Sequence, residues 1–518
     1  QAKKFMGQLY VLGRDIKEAA KRGRKGNVEG TRFSFDMLGE GARTYKDAKK
    51  YYEAYLSAIR SIGHSNDESD VNLADGISVK LSALHPRYEF SHHQLVIDEL
   101  LPSVLSLALE AKKFNIGFTI DAEEAARLDI ELDVFQALAF APELANWNGL
   151  GFVLQAYQKR ALFVVDWLVE LAKASERTLM VRLVKGAYWD AEIKHAQEMG
   201  LSEFPVFTRK VHTDLSYQVC AGKLLDNRDC IYPQFATHNA YTVALILEMA
   251  GDDTSSFEFQ RLHGMGDLLY GQIRETTGRE LPLRVYAPVG VHKDLLPYLV
   301  RRLLENGANG SFVNQFLDGK IAASNLVQSV ETTIGKAQGK RNTQIPLAQD
   351  IFNAFGEKRD NSRGIDLDDP LAFDTVAQQV SAFSDKKWQA GPIINGVMST
   401  DNAYPLYSPA ATDSVIGYCT DASAKDVDIA MNAASAAQPA WQSTPVNQRA
   451  QIMEKVADLL EAQTEELTAL ISFEAGRTLN DGISEVREAV DFCRYYALQV
   501  RHLVSDSPTQ PKLTQGQG

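Results

Sequence analysis

The sequence LMVRLVKG at residues 179 to 186 is an apolar, β-branched run that ends in polar residues. Such a run is typical of a strand in a parallel sheet that is covered on both faces. Seven further runs of this kind occur, and they are TRFSFDML (31 to 38), GISVKLSAL (76 to 84), GFTIDAE (117 to 123), GFVLQAY (151 to 157), IYPQFATHN (231 to 239), SFEFQRLHG (256 to 264) and LRVYAPVG (283 to 290). We therefore predict eight strands.

Helical patterns separate these runs, for example HHQLVIDELLPSVLSLALEAKKF at residues 92 to 114. Alternating strands and helices predict a parallel sheet with crossover helices, which can be a (β/α)8 barrel or an open doubly wound sheet. The polar groups at the strand ends favour the barrel, because an open sheet concentrates such groups at one switch point. These groups are Glu40, Lys80, Asp121, Gln155, Arg182 with Lys185, His238 with Asn239, Gln260 with His263, and Tyr286. No GxGxxG motif follows any of the runs.

The composition is that of a globular protein, with 45% hydrophobic and 23% charged residues among 518. A net charge of -13 disfavours nucleic acid as a partner. The four cysteines lack metal-ligand spacing, which indicates reduced thiols, a cytoplasmic setting and no zinc or iron-sulfur cluster. No apolar run approaches the ~18 residues of a membrane span, although peripheral membrane contact stays open. Because the chain begins with Gln1, we interpret it as a piece of a longer protein.

The character of the sequence changes several times along the chain. We predict a basic helical lead-in at residues 1 to 30, the barrel at 31 to 315 and a helical connector at 316 to 387. A second domain, or part of one, spans 388 to 503, and its helix NQRAQIMEKVADLLEAQ carries apolar residues along one face. Residues 504 to 518 are predicted to be a disordered tail.

The helix after the eighth strand reads DLLPYLVRRLLENGANG and carries Arg301 and Arg302. An Arg-Arg pair on a helix is more often exposed to solvent than catalytic. Here the helix directly follows the strand of Tyr286, so the two guanidinium groups can reach the barrel mouth and bind a carboxylate bidentately. Lys80 could be a further carboxylate ligand or a Schiff-base nucleophile, and the sequence does not decide between the two.

The fifth run continues as VKGAYWDAE, in which Arg182 precedes a turn made of Val184, Lys185, Gly186 and Ala187. The glycine would let the backbone approach a phosphate at the start of the next helix. Tyr188 and Trp189 offer flat surfaces for a ring system. An ordinary loop with core aromatic residues explains the same pattern equally well.

Eight ordered motifs resemble the proline dehydrogenase module of the bifunctional proline utilisation A flavoenzymes. They are RFSFDMLGEGA, VKLSALHPRY, TIDAEE, MVRLVKGAYWDAEI, FATHNA, RLHGMG, VYAPVG and LVRRLLENGANGSFV, and the resemblance covers about residues 1 to 350. It implies an FAD-dependent proline dehydrogenase that oxidises L-proline to 1-pyrroline-5-carboxylate. This would be the first step of proline catabolism to glutamate, with the electrons passed to a membrane quinone.

The resemblance also implies roles for individual residues. Arg301, Arg302 and Lys80 would bind the proline carboxylate, and Tyr286 would pack on the pyrrolidine ring. Glu40 would pair with Arg302 as a gate, while Asp121 and Tyr188 would complete the substrate pocket. The implied FAD ligands are Asp121, Gln155, Arg182, Val184, Lys185, Gly186, Ala187, Trp189, Thr208, Thr237, His238, Asn239, Gln260 and Glu305. A hydride would pass from the proline ring to flavin N5 beside Arg182, without a metal.

Residues 388 to 503 resemble the N-terminal part of an aldehyde dehydrogenase, through YSPAATDSVIG, the helix around Gln448 to Glu461, and FEAGRTLNDGISEVREAVDFCRYYA. We expect no aldehyde dehydrogenase activity, because the chain stops before the family's nicotinamide-binding sheet and catalytic cysteine. NAD would serve only the intact bifunctional parent, and we expect this chain to lack the DNA-binding domain that some family members carry. Such a partial domain is expected to expose apolar surface.

Two other classes of function are alternatives to a flavoenzyme. A metal-dependent barrel hydrolase could use His85, His238, His263 and Asp121, although these histidines form no HxH pair. A non-catalytic scaffold is the other alternative, and the intact set of pocket residues disfavours it. A homo-oligomer is compatible with the sequence, which does not set the oligomeric state.

Overall fold

The computed structural model describes residues 10–26, 30–278, 281–291, 300, 335 and 339–505. The described residues form two compact units. One unit contains the residues up to Ile193 and from Pro205 to Asn342, and the other contains Lys194–Phe204 and the residues from Thr343 onward.

The first unit is a closed barrel of parallel strands in the order of the sequence, which confirms the predicted (β/α)8 fold. The eighth strand closes the ring on the first, with Arg32 beside Arg284 and Asp36 beside Pro288. The strands are β1 Arg32–Met37, β2 Gly76–Val79, β3 Gly117–Ile120, β4 Leu150–Gln155, β5 Leu179–Val184, β6 Ile231–Ala236, β7 Glu258–Leu262 and β8 Leu283–Val289.

Helices alternate with these strands along the chain. They are α1 Ile16–Gly26, α2 Tyr45–Gly63, α3 His93–Lys113, α4 Leu128–Ala139, α5 Ala161–Ala174, α6 Trp189–Glu198, α7 Lys210–Asp226, α8 Ala240–Ala250 and α9 Asp267–Thr277. Helix α3 shows why the sequence takes this form, because it buries Val96, Leu100, Val104 and Leu107 at helical spacing.

The end of the barrel where the strands begin is filled by a polar cluster inside the apolar core. Glu258 is fully buried and accepts from Arg284 Nε at 2.6 Å and from Gln234 Nε2 at 2.8 Å. Arg284 also donates to the carbonyl oxygens of Ala74 and Asn72. These hydrogen bonds compensate the buried charges, which leaves the opposite end of the barrel for ligands.

The second unit combines helices with two small sheets. One sheet has two strands, and in the other the strand at residues 415–419 lies between those at 404–407 and 388–390. Its helices are α10 Ile351–Ala354, α11 Pro370–Ser381, α12 Ala424–Ser443, α13 Val446–Glu461, α14 Thr464–Ala475 and α15 Leu479–Ser505. Its strands are β9 Trp388–Ala390, β10 Ile393–Ile394, β11 Val397–Met398, β12 Tyr404–Tyr407 and β13 Val415–Cys419.

The predicted helix α13 is present, but the face that it buries is not its larger apolar one. Ala450 and Ala457 are its buried residues, and Ala457 packs with Val486 of α15. Ile452 and Leu459, by contrast, are about half exposed. The expected exposed apolar surface is therefore found on this helix.

None of the described helices is long and apolar enough to cross a membrane.

Candidate active site

Four ionisable side chains meet in one layer inside the barrel mouth, two from strands β1 and β5 and two from the positions directly after β2 and β3. Lys80, directly after β2, donates to Asp36 Oδ1 in β1 at 2.9 Å and to Asp121 Oδ2 after β3 at 3.2 Å. Arg182 in β5 donates to Asp121 Oδ1 at 2.8 Å. All four residues are at most 6% exposed. Two cations and two carboxyl groups thus compensate one another away from water.

Tyr286 in β8 completes this layer. Its hydroxyl donates to Asp121 Oδ2 at 2.5 Å and lies 3.5 Å from Lys80 Nζ. Its ring centroid lies 5.2 Å from the guanidinium carbon of Arg182, within the range of a cation–π contact. Asp121 therefore fixes Lys80, Arg182 and Tyr286 relative to one another, as the sequence predicted for a shared barrel mouth.

The protonation states in the layer follow from burial and from the neighbouring charges. Burial opposes ionisation of Lys80, but Asp36, Tyr286 and Asp121 outweigh it and raise the Lys80 pKa well above its usual range. Burial likewise opposes ionisation of Asp121, and Lys80 and Arg182 nevertheless hold the Asp121 pKa below its ordinary value. Burial dominates at Asp36 and raises its pKa. A Schiff-base nucleophile needs a neutral amine, so the structure favours Lys80 as a charged carboxylate ligand.

Arg182 is held by two serines that the sequence analysis did not single out. Its Nη1 donates to Ser78 Oγ at 3.1 Å, its Nη2 donates to Ser34 Oγ at 2.9 Å, and the two hydroxyls lie 3.0 Å apart. Asp36 was missed as well. Its signal was a carboxylate beside two phenylalanines in the strand RFSFDM, since a buried carboxylate is costly unless a cation compensates it.

The loop after β5 has the tight geometry that its glycine suggested. Gly186 has a φ of +125°, and a methyl group there would overlap the ring of Tyr157. Lys185 Nζ pairs with Asp214 Oδ1 at 2.5 Å, and burial lowers the Lys185 pKa despite this partner. Val184 ends β5, Ala187 is exposed and Tyr188 is half-buried. The loop presents backbone groups and one ammonium group together.

Trp189 begins α6 and is 37% exposed, with its Nε1 donating to the Phe207 carbonyl oxygen at 2.8 Å. The adjacent Thr208 is buried, and its hydroxyl accepts from the Asn342 backbone N–H at 2.8 Å. The indole ring is thus fixed at its nitrogen while more than a third of the residue stays accessible.

The ends of β6 and β7 are ordered by local hydrogen bonds. Thr237 Oγ1 accepts from the backbone N–H of Asn239 at 3.1 Å, and Asn239 caps α8 by accepting from Thr242 N at 3.3 Å. His238 Nε2 accepts from the Leu262 backbone N–H at 3.0 Å. That nitrogen is therefore engaged as an acceptor.

Several buried polar atoms in this part of the barrel lack a hydrogen-bond partner among the described residues. They include Arg182 Nε, a donor, and Gln260 Oε1, an acceptor, although Gln260 Nε2 donates to Glu258 at 2.9 Å. Gln155 Nε2 donates to the Glu123 carbonyl oxygen at 2.8 Å. A flavin ring carries both donors and acceptors along its edge, and the turn at Gly186 can approach a phosphate. The residues therefore fit FAD.

The alternative metal site is not supported. The described residues contain no group of three or more His, Cys, Asp or Glu side chains that could hold a metal ion. His85 lies 3.1 Å from Glu99 through Nε2 and accepts from the Arg87 backbone N–H through Nδ1. Burial, together with nearby arginines, lowers the His263 pKa to about 4.

Three predicted site residues, Arg301, Arg302 and Glu305, lie outside the described residues. Glu40 is described and half-buried, in the loop after β1. The predicted roles of the arginine pair therefore stay predictions.

Comparison with known proteins gives two family matches. Residues 19–315 match proline dehydrogenase, and residues 397–516 match the aldehyde dehydrogenase family. The chain is 46% identical over 521 residues to bifunctional protein PutA of Escherichia coli K12, which covers 98% of this chain and 39% of the relative. It thus spans about two fifths of that protein's length. It is 28% identical over 309 residues to proline dehydrogenase 1 of Bacillus subtilis 168, covering 59% of this chain and 88% of the relative.

Solved structures agree with these matches. A point mutant of proline utilisation A (PutA) from Bradyrhizobium japonicum is 46% identical and superposes with a TM-score of 0.84 over 99% of this chain and 48% of that chain. PutA from Bdellovibrio bacteriovorus, in a form inactivated by N-propargylglycine, is 28% identical, with a TM-score of 0.85 over 97% of this chain and 52% of that chain.

Proposed function

The chain belongs to the proline dehydrogenase family, and on that basis we propose that its barrel oxidises L-proline to 1-pyrroline-5-carboxylate with FAD as the electron acceptor. This would be the first step of proline catabolism to glutamate. The observation that carries the proposal is the buried layer in which Asp121 holds Lys80, Arg182 and Tyr286 in place. A small zwitterion needs such fixed charges and a packing surface.

Lys80 contributes to binding of the substrate carboxylate. An ammonium group has three donors, and Asp36 and Asp121 take two of them. The third makes a long contact of 3.5 Å with the Tyr286 hydroxyl, so a substrate carboxylate could compete for it. The raised Lys80 pKa keeps the group charged at neutral pH. The family resemblance adds Arg301 and Arg302 as bidentate partners of the same carboxylate, with Arg302 also pairing with Glu40 as a gate.

Tyr286 supports the pyrrolidine ring. Its hydroxyl is fixed by Asp121, so its ring offers a flat surface of set orientation. Tyr188 would line the same pocket. Asp121 itself is unsuited as a general base, because Lys80 and Arg182 depress its pKa. Proline would react as the neutral amine.

FAD, when bound, would accept the hydride from the ring carbon next to nitrogen. Arg182 is held by Ser34, Ser78 and Asp121, so its charge is fixed in advance and would stabilise the negative charge that develops on a reduced flavin beside it. The residues that would hold FAD are Asp121, Gln155, Arg182, Val184, Lys185, Gly186, Ala187, Trp189, Thr208, Thr237, His238, Asn239, Gln260 and Glu305.

Electron transfer would continue to a membrane quinone at the surface of the bilayer, from a cytoplasmic protein in peripheral contact with it. This part of the proposal rests on the family resemblance. Assembly into a homo-oligomer is compatible with it.

We propose no aldehyde oxidation by the described part of the second unit, and NAD belongs to the intact bifunctional parent. Cys493 packs beside an apolar cluster of helices α13 and α15, and Cys419 ends strand β13. An apolar cluster does not activate a thiol as a nucleophile.

Inactivation by N-propargylglycine tests the proposed substrate site, since a PutA relative is inactivated by this compound. We expect time-dependent loss of proline oxidation by the FAD-loaded protein, and protection by excess L-proline. A protein that stays fully active after prolonged incubation, or that is inactivated equally fast in the presence of proline, would contradict the proposal. A colourless protein that requires a divalent metal would support the hydrolase alternative.

A further inference from the structure

A second pair of side chains lies two residues beyond the layer of Lys80 and Asp121. Ser82 donates to Glu123 twice, from its backbone N–H to Oε1 at 3.0 Å and from its hydroxyl to Oε2. Strands β2 and β3 pair in register, with Val79 beside Ile120, so their two continuations run side by side. Both residues are at most 5% exposed. A buried carboxylate that accepts two hydrogen bonds is a built feature of the barrel mouth.

Ser82 also holds the segment that follows β1, residues 38 to 42, which we call the β1 loop. The Gly41 N–H donates to Ser82 Oγ at 3.1 Å, and the Ala42 N–H donates to Ser82 O at 2.8 Å. At its start, the Leu38 N–H donates to Val289 O at 2.8 Å. The β1 loop, which includes Glu40, is thus tied at its start to β8 and at its end to the turn that follows β2.

The β1 loop also has a close packing contact on one side. Gly39 has a φ of +147°, and a methyl group on it would overlap the ring of Tyr51 in α2. The loop can therefore rest on Tyr51 only with glycine at this position. Its position is set on one side by the Tyr51 ring and on the other by Ser82.

Glu123 extends the connection to the next strand end. Its carbonyl oxygen accepts from Gln155 Nε2 at 2.8 Å, and its N–H donates to Glu131 Oε1 at 3.2 Å. A continuous chain of hydrogen bonds therefore runs from the Gly41 N–H through Ser82 and Glu123 to Gln155.

The Ser82 hydroxyl gives this chain a direction. A hydroxyl has one hydrogen, which Ser82 donates to Glu123, while its lone pairs accept from Gly41. An ionised Glu123 accepts both hydrogen bonds from Ser82. A Glu123 protonated on Oε2 would instead donate its hydrogen to the serine oxygen and displace the serine hydrogen.

The surroundings place ionisation of Glu123 near neutral pH. Burial raises its pKa, the hydrogen bonds from Ser82 lower it, and the result is a pKa of about 7. Glu124 raises the value further and Arg127 lowers it. Burial raises the Glu131 pKa well above its usual range, and the buried Tyr88 faces the same group of carboxylates.

We propose that Ser82 and Glu123 are positioning residues that fix the β1 loop over the substrate site and thereby set how tightly proline is held. The inference rests on the proposed function, because it takes proline as the ligand beneath the loop. Neither side chain needs to touch the substrate, since both act through the backbone of Gly41 and Ala42.

Ser82→Ala removes the hydroxyl that links Gly41 to Glu123. We expect the KM for L-proline to rise about fivefold, the effect of one lost hydrogen bond, while kcat changes less than about twofold. Ser82→Thr retains the hydroxyl and should restore the parent KM. Ser175→Ala is the matched control, because it removes a serine hydroxyl that bonds within the end of α5 and should leave KM unchanged.

Glu123→Gln separates positioning from a general loss of stability. The amide can accept from the Ser82 N–H and donate to its hydroxyl, which imitates the protonated acid. The KM of the parent for L-proline should depend on pH, with an apparent pKa near 7. The KM of Glu123→Gln should be independent of pH over the same range. An unchanged pH profile in Glu123→Gln, or a lowered kcat with constant KM in Ser82→Ala, would overturn the proposal.

Hydrogen–deuterium exchange of the FAD-loaded protein provides a readout that does not depend on activity. The amides of Gly41 and Ala42 should exchange faster in Ser82→Ala than in the parent or in Ser175→Ala. Equal exchange rates would reject the positioning role of Ser82, even in a protein that oxidises proline. If proline does not reduce the parent's flavin, the proposed function fails while the exchange experiment still decides the position of the loop.

Discussion

The substitution Asp121→Asn tests the arrangement of the buried layer most severely. The carboxylate accepts from Lys80 at 3.2 Å, from Arg182 at 2.8 Å and from the Tyr286 hydroxyl at 2.5 Å. Asparagine keeps the shape but presents an N–H₂ group to one of these donors. The two buried cations would then share Asp36 as their remaining acidic partner in the layer.

The expected loss follows from these contacts. Removing one partner of a buried ion pair typically costs about 3 to 5 kcal/mol, because the other charge remains buried and uncompensated. We expect the free energy of unfolding to fall by about 4 kcal/mol and the melting temperature to fall by about 10 °C. Thermal and urea unfolding of the FAD-loaded chain, followed by circular dichroism, would measure this.

Asp129→Asn is the matched control. It removes a similar ion pair, to Arg160 at 2.8 Å, whose side chains are 24% and 47% exposed. A surface pair contributes about 0.5 kcal/mol, so this variant should melt close to the parent. Equal melting temperatures of Asp121→Asn and the parent would refute the view that Asp121 holds the layer together.

The pH dependence of the free energy of unfolding provides a second test of the role of Asp121. The Asp121 pKa is lower in the folded chain than its ordinary value of 3.8. Its ionised form therefore stabilises the fold at all pH values above about 3.8, and this contribution is lost as the pH falls through the depressed pKa. The difference between the parent and Asp121→Asn should be constant from pH 5 to 8 and should shrink only in strong acid.

Three further substitutions probe the proposed ligands. Arg301→Met should raise the proline KM by removing roughly 2 to 3 kcal/mol of charge-assisted bonding, and steady-state kinetics with an unchanged KM would refute its role. Tyr286→Ser should weaken discrimination against hydroxylated proline by opening space beside the ring, as measured by the ratio of kcat/KM values for the two substrates; an unaltered ratio would count against packing. Gly186→Ala should lower FAD content at least about tenfold, because alanine is strained at a φ of +125° and its methyl group meets Tyr157; full flavin content by absorbance would contradict this.

The eight strands could be predicted because each is an apolar run long enough to be buried, and all eight are present. The sequence predicts the ends of the strands less well. The run GISVKLSAL predicts one strand from 76 to 84, but β2 ends at Val79 and Leu81–Ala83 form a 3-10 turn. The chain turns there because Lys80 enters the barrel and Ser82 reaches Glu123.

The polar strand ends predicted Lys80, Asp121, Arg182 and Tyr286, and the structure brings these four together. The sequence alone does not identify Ser34 and Ser78, because small polar residues are common in strands and closure of the barrel decides which alternate residues face inward. Their partners are distant in sequence, since Arg182 and Ser34 are 148 residues apart.

The proposed chemistry as a whole is tested most directly by anaerobic titration of the FAD-loaded chain with L-proline, followed at the visible flavin bands. We expect stoichiometric bleaching of the flavin bands and formation of 1-pyrroline-5-carboxylate, without added metal. Bands that persist in excess proline, while dithionite still bleaches them, would contradict it.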